Sequence, residues 1–301
     1  MKSLEITTQI GCPLMCTFCP QDKLQQAYKH STKKMTIETF SIVLEKLPLD
    51  VEIIFSGYTD PWANKLCNTF VKLALTKGFV ISIYTTLYNI TADECDYLVE
   101  LLENHADQVS RFWIHLPDTN KNMLGFRYDS DYEYTLTHIK QMKKVRVFEM
   151  TMDENSQVDS TIKIKTNTAK WFLHTRADNL NRANIKGQTV NLPPQNEYII
   201  ECLRNKNYHA NVLLPNGDIS LCPMDYGLKH ILGNLLESSY EDIINGKEIK
   251  KISNANNQIG FSNNTLCRTC NDGFCHTPWN NKEVYELVKK INPESLGLDP
   301  V

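Results

Sequence analysis

The chain keeps switching between two hydrophobic periodicities, and that alternation limits its fold more than any other feature. β-branched and aromatic runs occur at "LEITTQI" (4–10), "VEIIFSG" (51–57), "FVISIYTT" (79–86), "RFWIHL" (111–116), "KVRVFEMTM" (144–152) and "KWFLHT" (170–175). Between them lie stretches whose apolar residues recur at helical spacing. "TIETFSIVLEKL" places Ile37, Phe40, Leu44 and Leu47 on one face, and "ANKLCNTFVKLALTKG" does the same with Leu66, Phe70 and Leu73 before ending at Gly78, a C′ glycine. Thr91 and Glu94 form a capping box ahead of Tyr97, Leu98, Leu101 and Leu102, and a further helix is expected around "YEYTLTHIKQM". Six strands alternating with helices predict an α/β fold with a parallel sheet, as an open layer or a partly closed barrel.

Near residue 190 the pattern changes. "NLPPQN" is a proline-rich break, and "HANVLLPNGDISLCP" reads as a hairpin turning at Asn216-Gly217. The expected organisation is therefore a core over 1–190 and a smaller module over 191–301, the latter ending in the amphipathic stretch "KEVYELVKKI".

Ten cysteines stand in 301 residues. Residues 1–20 lack the features of a secretory signal, and no apolar run reaches the ~20 residues of a membrane span. The expectation is a cytoplasmic protein with no membrane partner, in which clustered thiols serve metal binding or catalysis rather than disulfides. The net charge of −3 argues against a nucleic-acid partner, which calls for a basic stripe.

Three thiols, Cys12, Cys16 and Cys19, lie in "IGCPLMCTFCPQ", immediately after the first strand, with the spacing C-x3-C-x2-C. A loop with three soft thiolates can hold three irons of a 4Fe-4S cluster and leave the fourth iron open to a small molecule. A zinc site is the alternative, but zinc wants four ligands in paired Cys units, and His30 is the only other candidate nearby.

This loop, with the aromatic Phe18 directly before the last cysteine, resembles the cluster loop of the radical S-adenosylmethionine (radical SAM) superfamily. The resemblance implies a partial (β/α)6 TIM-like barrel with a small C-terminal α+β cluster-binding module. It also implies that the open iron chelates SAM, whose reductive cleavage gives a 5′-deoxyadenosyl radical. Other segments are similar to the family's SAM contacts. "FSGYTDPW" matches the stretch that receives the SAM amino group through Gly57, Asp60 and Pro61, though it lacks the family's double glycine and glutamate. "YTTLYN" matches the ribose segment through Thr85 and Thr86, and "TRADNLNR" carries over Arg176 beside SAM.

The tail resembles the twitch or SPASM module that binds auxiliary 4Fe-4S clusters. Cys202, Gly217 and Cys222 give C-x14-G-x4-C, "LGNLLESSYEDIING" matches the linking helix, and "CRTCNDGFC" starts at Cys267. The cysteine count suits the single-cluster twitch form, with Cys202, Cys222, Cys267 and Cys270 as ligands. A zinc ribbon that could also draw on His276 is the alternative. Cys275 is left as a replacement ligand or a hydrogen-atom donor, while Cys67 and Cys95 lie within helical patterns and read as small buried hydrophobes.

The cofactors implied are two 4Fe-4S clusters and SAM, with a reducing partner such as flavodoxin or ferredoxin. Candidate bases or orienting groups at strand ends are His115, Glu149, His174 and Arg176. The first strand begins by Leu4, which leaves no room for the winged leader-peptide domain of many peptide-modifying relatives. With the single-cluster tail, this points to a small polar substrate, such as a sugar, aminosugar or cyclitol, oxidised or epimerised as in the aminocyclitol dehydrogenase branch. A peptide epimerase or thioether-forming enzyme is the alternative enzyme, and a zinc-stabilised binding module the alternative of another class.

Overall fold

A computed structural model of the chain describes residues 2–152, 156–170, 176–177, 179–180, 199–202, 205, 207–257, 265–270 and 272–276. The strands are β1 (Lys2–Ile6), β2 (Met15–Cys16), β3 (Val51–Phe55), β4 (Ile81–Thr85), β5 (Val109–His115), β6 (Met123–Leu124) and β7 (Val147–Thr151). They continue with β8 (Thr168–Lys170), β9 (Ile199–Cys202), β10 (Ala210–Leu213), β11 (Asp218–Ser220), β12 (Ile231–Asn234) and β13 (Gly273–His276). The helices are α1 (Gln21–Ala27), α2 (Ile37–Lys46), α3 (Cys67–Thr76), α4 (Ala92–Asn104), α5 (Ser130–Lys140), α6 (Tyr240–Ile244) and α7 (Lys247–Asn256).

The main sheet has nine strands in the order β12-β11-β10-β1-β3-β4-β5-β7-β8. Every pair from β1 to β8 in that order is parallel. Five of the six predicted strands lie in this parallel α/β layer, and β8 takes the sixth place; residues 171–175 of the sixth predicted strand lie outside the described residues. Strand β10 joins it parallel to β1, and β11 and β12 follow antiparallel. Strands β10 to β12 thus extend the same sheet, β9 and β13 pair antiparallel in a separate two-stranded sheet, and the Asn216-Gly217 hairpin forms with Gly217 at φ 90°.

Period-two alternation gives the sheet two unlike faces. Leu4, Ile6, Ile53, Phe55, Ile81, Ile83, Phe112 and Ile114 pack against the helices in one large core. The opposite, inner face carries Tyr84, Trp113, His115, Phe148 and Met150, and Phe18 from the cysteine loop packs there too. Across three neighbouring strands Tyr84, Trp113 and Phe148 stack nearly parallel, with centroids 6.2 and 4.5 Å apart.

The helices form for the expected reasons, but their faces are rotated from the expected ones. Thr36 caps α2 through Thr39 N, and the capping box of Thr91 and Glu94 starts α4. Helix α2 buries Phe40, Val43 and Leu44 and leaves Ile37 exposed. Helix α3 buries Cys67, Phe70, Val71, Ala74 and Leu75, while Leu66, its N-cap, is exposed, as is Ile37 at the first position of α2. Gly78 takes φ 89° after α3, as its C′ role requires, and Tyr97 on α4 is exposed. Cys67 and Cys95 are fully buried core residues, as expected. No helix among the described residues is long and apolar enough to cross a membrane.

Phe40 and Phe70 join α2 to α3, with ring centroids 5.0 Å apart and both rings fully buried. Phe70→Ala is expected to cost about 3–5 kcal/mol in urea unfolding. Ile37→Ala, on the exposed side of α2, should stay within about 0.5 kcal/mol.

Candidate cofactor and active site

The loop leaving β1 is held at each cysteine by groups from elsewhere in the chain. Next to Cys16, β2 pairs antiparallel with β6, which follows β5. Thr17 N donates to Asn122 O at 2.9 Å, and Thr17 Oγ1 donates to Asn122 Oδ1 at 2.7 Å. Asn122 is itself held by the buried Asp118 carboxylate at 3.1–3.2 Å. At Cys19, the sulfur lies 3.4 Å from the Tyr226 hydroxyl and accepts Gln21 Nε2 at 3.3 Å. At Cys12, the backbone N–H groups of Asp60 and Leu14 point to the sulfur.

The Cys12 and Cys16 thiols each sense their neighbours in the loop. Burial, helped by the Asp60 carboxylate, pushes the Cys12 thiol up to about 11. Burial also raises Cys16, with Cys19 and Cys12 adding to the effect. Without metal such thiols hold their protons at neutral pH, so loading iron releases protons, as thiolate ligation requires. Phe18 is buried on the inner face among Trp113, Met123 and Met150, which anchors the loop between Cys16 and Cys19. His30 lies apart from the thiols, with its Nε2 3.2 Å from Asp218 Oδ2.

The ends of β3 and β4 meet beside this loop. Asp60 is half-buried, and its Oδ2 accepts Thr85 Oγ1, Thr86 N and Thr86 Oγ1 at 2.7–2.9 Å while Oδ1 accepts Trp62 N at 3.1 Å. Burial raises its carboxyl against these hydrogen bonds. The structure thus brings Asp60, Thr85 and Thr86 together, but the Asp60 carboxylate is committed to fixing the two threonines and the turn at Pro61. Gly57 sits at φ 75°, and a Cβ there would lie 2.4 Å from Thr7 Oγ1 and 2.9 Å from Thr7 N. Its bare backbone is demanded by the close approach of β1 to the turn after β3.

The catalytic candidates fall on opposite faces. His115 is on the inner face, where its ring stands edge-on to Tyr84 at 6.3 Å. Burial, with the positive charge of Arg176, pushes its imidazole down to about 4, so it is neutral at pH 7. Glu149 lies one residue out of phase with the inner-face positions Phe148 and Met150. Its carboxylate is ion-paired with Lys140 of α5 and accepts Asn167 N at 2.7 Å. The structure therefore does not bring Glu149 to the site, because the two-residue period of a strand sends it to the helix layer. His174 lies outside the described residues.

Arg176 and Ala177 both adopt left-handed conformations, at φ 50° and 51°. Two such non-glycine residues in a row are costly and are kept only where surroundings over-determine them. Here Asn179 Nδ2 donates to Met224 O at 2.9 Å and Thr269 Oγ1 to Ala177 O at 3.3 Å. The turn carries the Arg176 guanidinium to 6.0 Å from the Tyr226 ring centroid, beside Met224.

Cys202, Cys222, Cys267 and Cys270 line one cavity together with Met224 and Asp272. Burial raises the Cys222 thiol well above its usual range, with Cys270, Cys267 and Cys202 contributing. Helix α7 places the Cys267 segment, since Asn256 Oδ1 accepts Thr265 Oγ1 at 2.9 Å and Ala255 O accepts Arg268 Nη2 at 2.8 Å. Four sulfur donors around one cavity fit an iron-sulfur cluster. Cys275 is on β13 opposite Ile200, and its side chain lies outside the described residues, as does that of His276. Among the described residues, no three His, Cys, Asp or Glu side chains converge to hold a single ion. Sequence patterns had no signal for Tyr226, Tyr58, Gln21 or the Asp118–Asn122 pair, whose roles arise from contacts up to 207 positions apart.

Residues 202–271 match the SPASM family, described as an iron-sulfur cluster-binding domain. No curated protein sequence matches the chain. Among solved structures, BtrN in complex with AdoMet and 2-DOIA aligns with a TM-score of 0.59 at 18% identity, covering 90% of this chain and 93% of BtrN. Native anSMEcpe with bound AdoMet and Cp18Cys peptide aligns with a TM-score of 0.55 at 14% identity, covering 98% of this chain and 97% of that one. The chain thus has the fold of BtrN and anSMEcpe, and its residues 202–271 match an iron-sulfur cluster-binding domain.

Below the ordinary histidine value of 6.5 the unfolded chain protonates His115, whereas the native state keeps it neutral down to about 4. The unfolded state then binds more protons, so this residue makes stability fall as pH drops from 6.5 toward 4. Urea midpoints between those pH values should fall less steeply for His115→Phe than for the unmodified protein.

Proposed function

We propose that this protein is a radical SAM enzyme that abstracts a hydrogen atom from a C–H bond of a small polar substrate, a sugar, aminosugar or cyclitol, and oxidises or epimerises it. The observation that carries the reading is the Cys12-Cys16-Cys19 loop, held by external contacts at the mouth of an open barrel whose C-terminal module lines a cavity with four more cysteines. Cys12, Cys16 and Cys19 would hold a 4Fe-4S cluster with one open iron, and Cys202, Cys222, Cys267 and Cys270 an auxiliary one. Bound there and reduced, such a cluster and SAM supply a 5′-deoxyadenosyl radical, which attacks unactivated C–H bonds.

The chain's own residues provide the rest. Thr85 and Thr86, fixed by Asp60, stand at the strand end proposed to meet the SAM ribose, and Arg176 supplies a positive charge for its carboxylate. Tyr84, Trp113, Phe148 and Met150 keep the inner face apolar, which excludes water and stray hydrogen donors. A neutral His115 can accept the proton that the substrate loses on oxidation, and a cluster held by Cys202, Cys222, Cys267 and Cys270 would serve as the electron acceptor. Epimerisation would instead need a hydrogen atom returned by a thiol, the role proposed for Cys275. The proposed domains are a core over 1–190 and a cluster module over 191–301, in the cytoplasm, reduced by a flavodoxin or ferredoxin.

Likeness to BtrN, whose structure holds 2-DOIA, supports the small-substrate reading. Likeness to anSMEcpe, whose structure holds a Cp18Cys peptide, favours a peptide substrate as the second reading.

Anaerobically purified protein should contain about eight irons per chain, falling to about four when Cys12, Cys16 and Cys19 are all changed to Ala. SAM and a strong reductant should yield 5′-deoxyadenosine from the unmodified protein only. Zinc without iron after anaerobic reconstitution would overturn the radical reading. Cys275→Ala that keeps its iron should abolish product formation in an epimerase and spare it in a dehydrogenase.

A further inference from the structure

Tyr226 lies four residues after Cys222, yet its buried hydroxyl reaches the N-terminal loop, 3.4 Å from Cys19 Sγ. Its ring meets that of Tyr58 edge-on, with centroids 4.8 Å apart. The Tyr58 hydroxyl donates to Cys222 O at 2.8 Å or Asp225 O at 3.1 Å and lies 2.7 Å from Ser220 Oγ. Tyr58 is also tied to the end of β1, since its N–H donates to Thr7 Oγ1 at 3.1 Å. A pair of buried tyrosines therefore spans from a sulfur of one cysteine group to the backbone of a cysteine in the other.

We propose that Tyr226 is a positioning residue that donates a hydrogen bond to the cluster-ligating sulfur of Cys19, raises the reduction potential of the cluster held there, and makes that potential depend on the seating of the C-terminal module. The proposal rests on the reading of Cys12, Cys16 and Cys19 as cluster ligands. An iron-bound cysteine is a thiolate with no proton to give, so the hydroxyl must be the donor. A donated hydrogen bond draws charge from the sulfur and favours the reduced cluster, which carries one more negative charge. Removal from water strengthens the effect, and Tyr226 sits in an apolar cluster with Ile10, Leu24, Tyr28, Val212 and Leu214. Tyr58 fixes the Tyr226 ring from the side, so displacement of the turn after Cys222 would withdraw the donor.

The test is a redox titration of the full-length, anaerobically reconstituted protein followed by electron paramagnetic resonance. The relevant signal is the one lost when Cys12, Cys16 and Cys19 are all changed to Ala. In Tyr226→Phe, iron should stay at about eight per chain, and at a fixed poise the reduced-to-oxidised ratio of that cluster should fall about tenfold, equivalent to about 59 mV for a one-electron couple. Site-specific 3-fluorotyrosine at position 226, nearly isosteric and a stronger donor, should move the ratio the opposite way. Tyr28→Phe, whose lost hydroxyl donates to Thr32 O within the same apolar cluster, should leave it unchanged. An unmoved potential in the fluorotyrosine protein overturns the proposal even where Tyr226→Phe fails to load iron. Absence of the signal from the unmodified protein overturns the ligand reading, and the proposal with it.

Discussion

Three thiols can share one cluster only if the loop that carries them is held from outside itself. Burial of the Cys12 and Cys16 thiols favours their protonated, unligated form. Here the loop is fixed from several directions. Asn122, backed by Asp118, holds Thr17, Gln21 and Tyr226 meet Cys19, and the Asp60 turn reaches Cys12. Apart from Gln21, which opens α1, these groups stand beyond strand ends or in the C-terminal segment, so the loop takes this form only when the sheet has formed.

The sheet's two faces then divide the labour. One face is packed by helices and supplies the bulk of the buried apolar area. The other carries the stacked Tyr84, Trp113 and Phe148 rings, which stiffen neighbouring strands and leave His115 in an environment that keeps it neutral. A single step in register separates a residue at the site from one in the helix layer. Glu149 illustrates the cost of being on the other side: its charge is compensated by Lys140 and a backbone N–H, which makes it a strut between β7 and α5.

The C-terminal residues are not an appendage hung on a finished core. Strand β10 pairs with β1 directly beneath the cysteine loop, and the turn after Cys222 supplies Met224 and Tyr226 against Arg176 and Cys19. The consecutive left-handed residues Arg176 and Ala177 are held by Asn179 and Thr269, the latter from the segment between Cys267 and Cys270. Geometry at the two cysteine groups is therefore linked through the protein, which ordinary sequence distance would not suggest.

Local chemistry alone determined the alternating α/β order, the capping box at Thr91, the glycine stop at Gly78 and the two cysteine groups, because periodicity, caps and soft-ligand spacing are written in neighbouring residues. The same information placed Ile37 and Leu66 on buried faces and Glu149 among the candidates for catalysis, since it records neither how far burial extends to a helix end nor which strand face looks inward. Asp60 was legible as a candidate for the site, but not its commitment to Thr85 and Thr86. Only the tertiary structure decided these points, and only it revealed Tyr226 beside Cys19. Each depends on contacts between residues far apart in the chain, and the free energy of such contacts is set by packing and burial that no local pattern encodes.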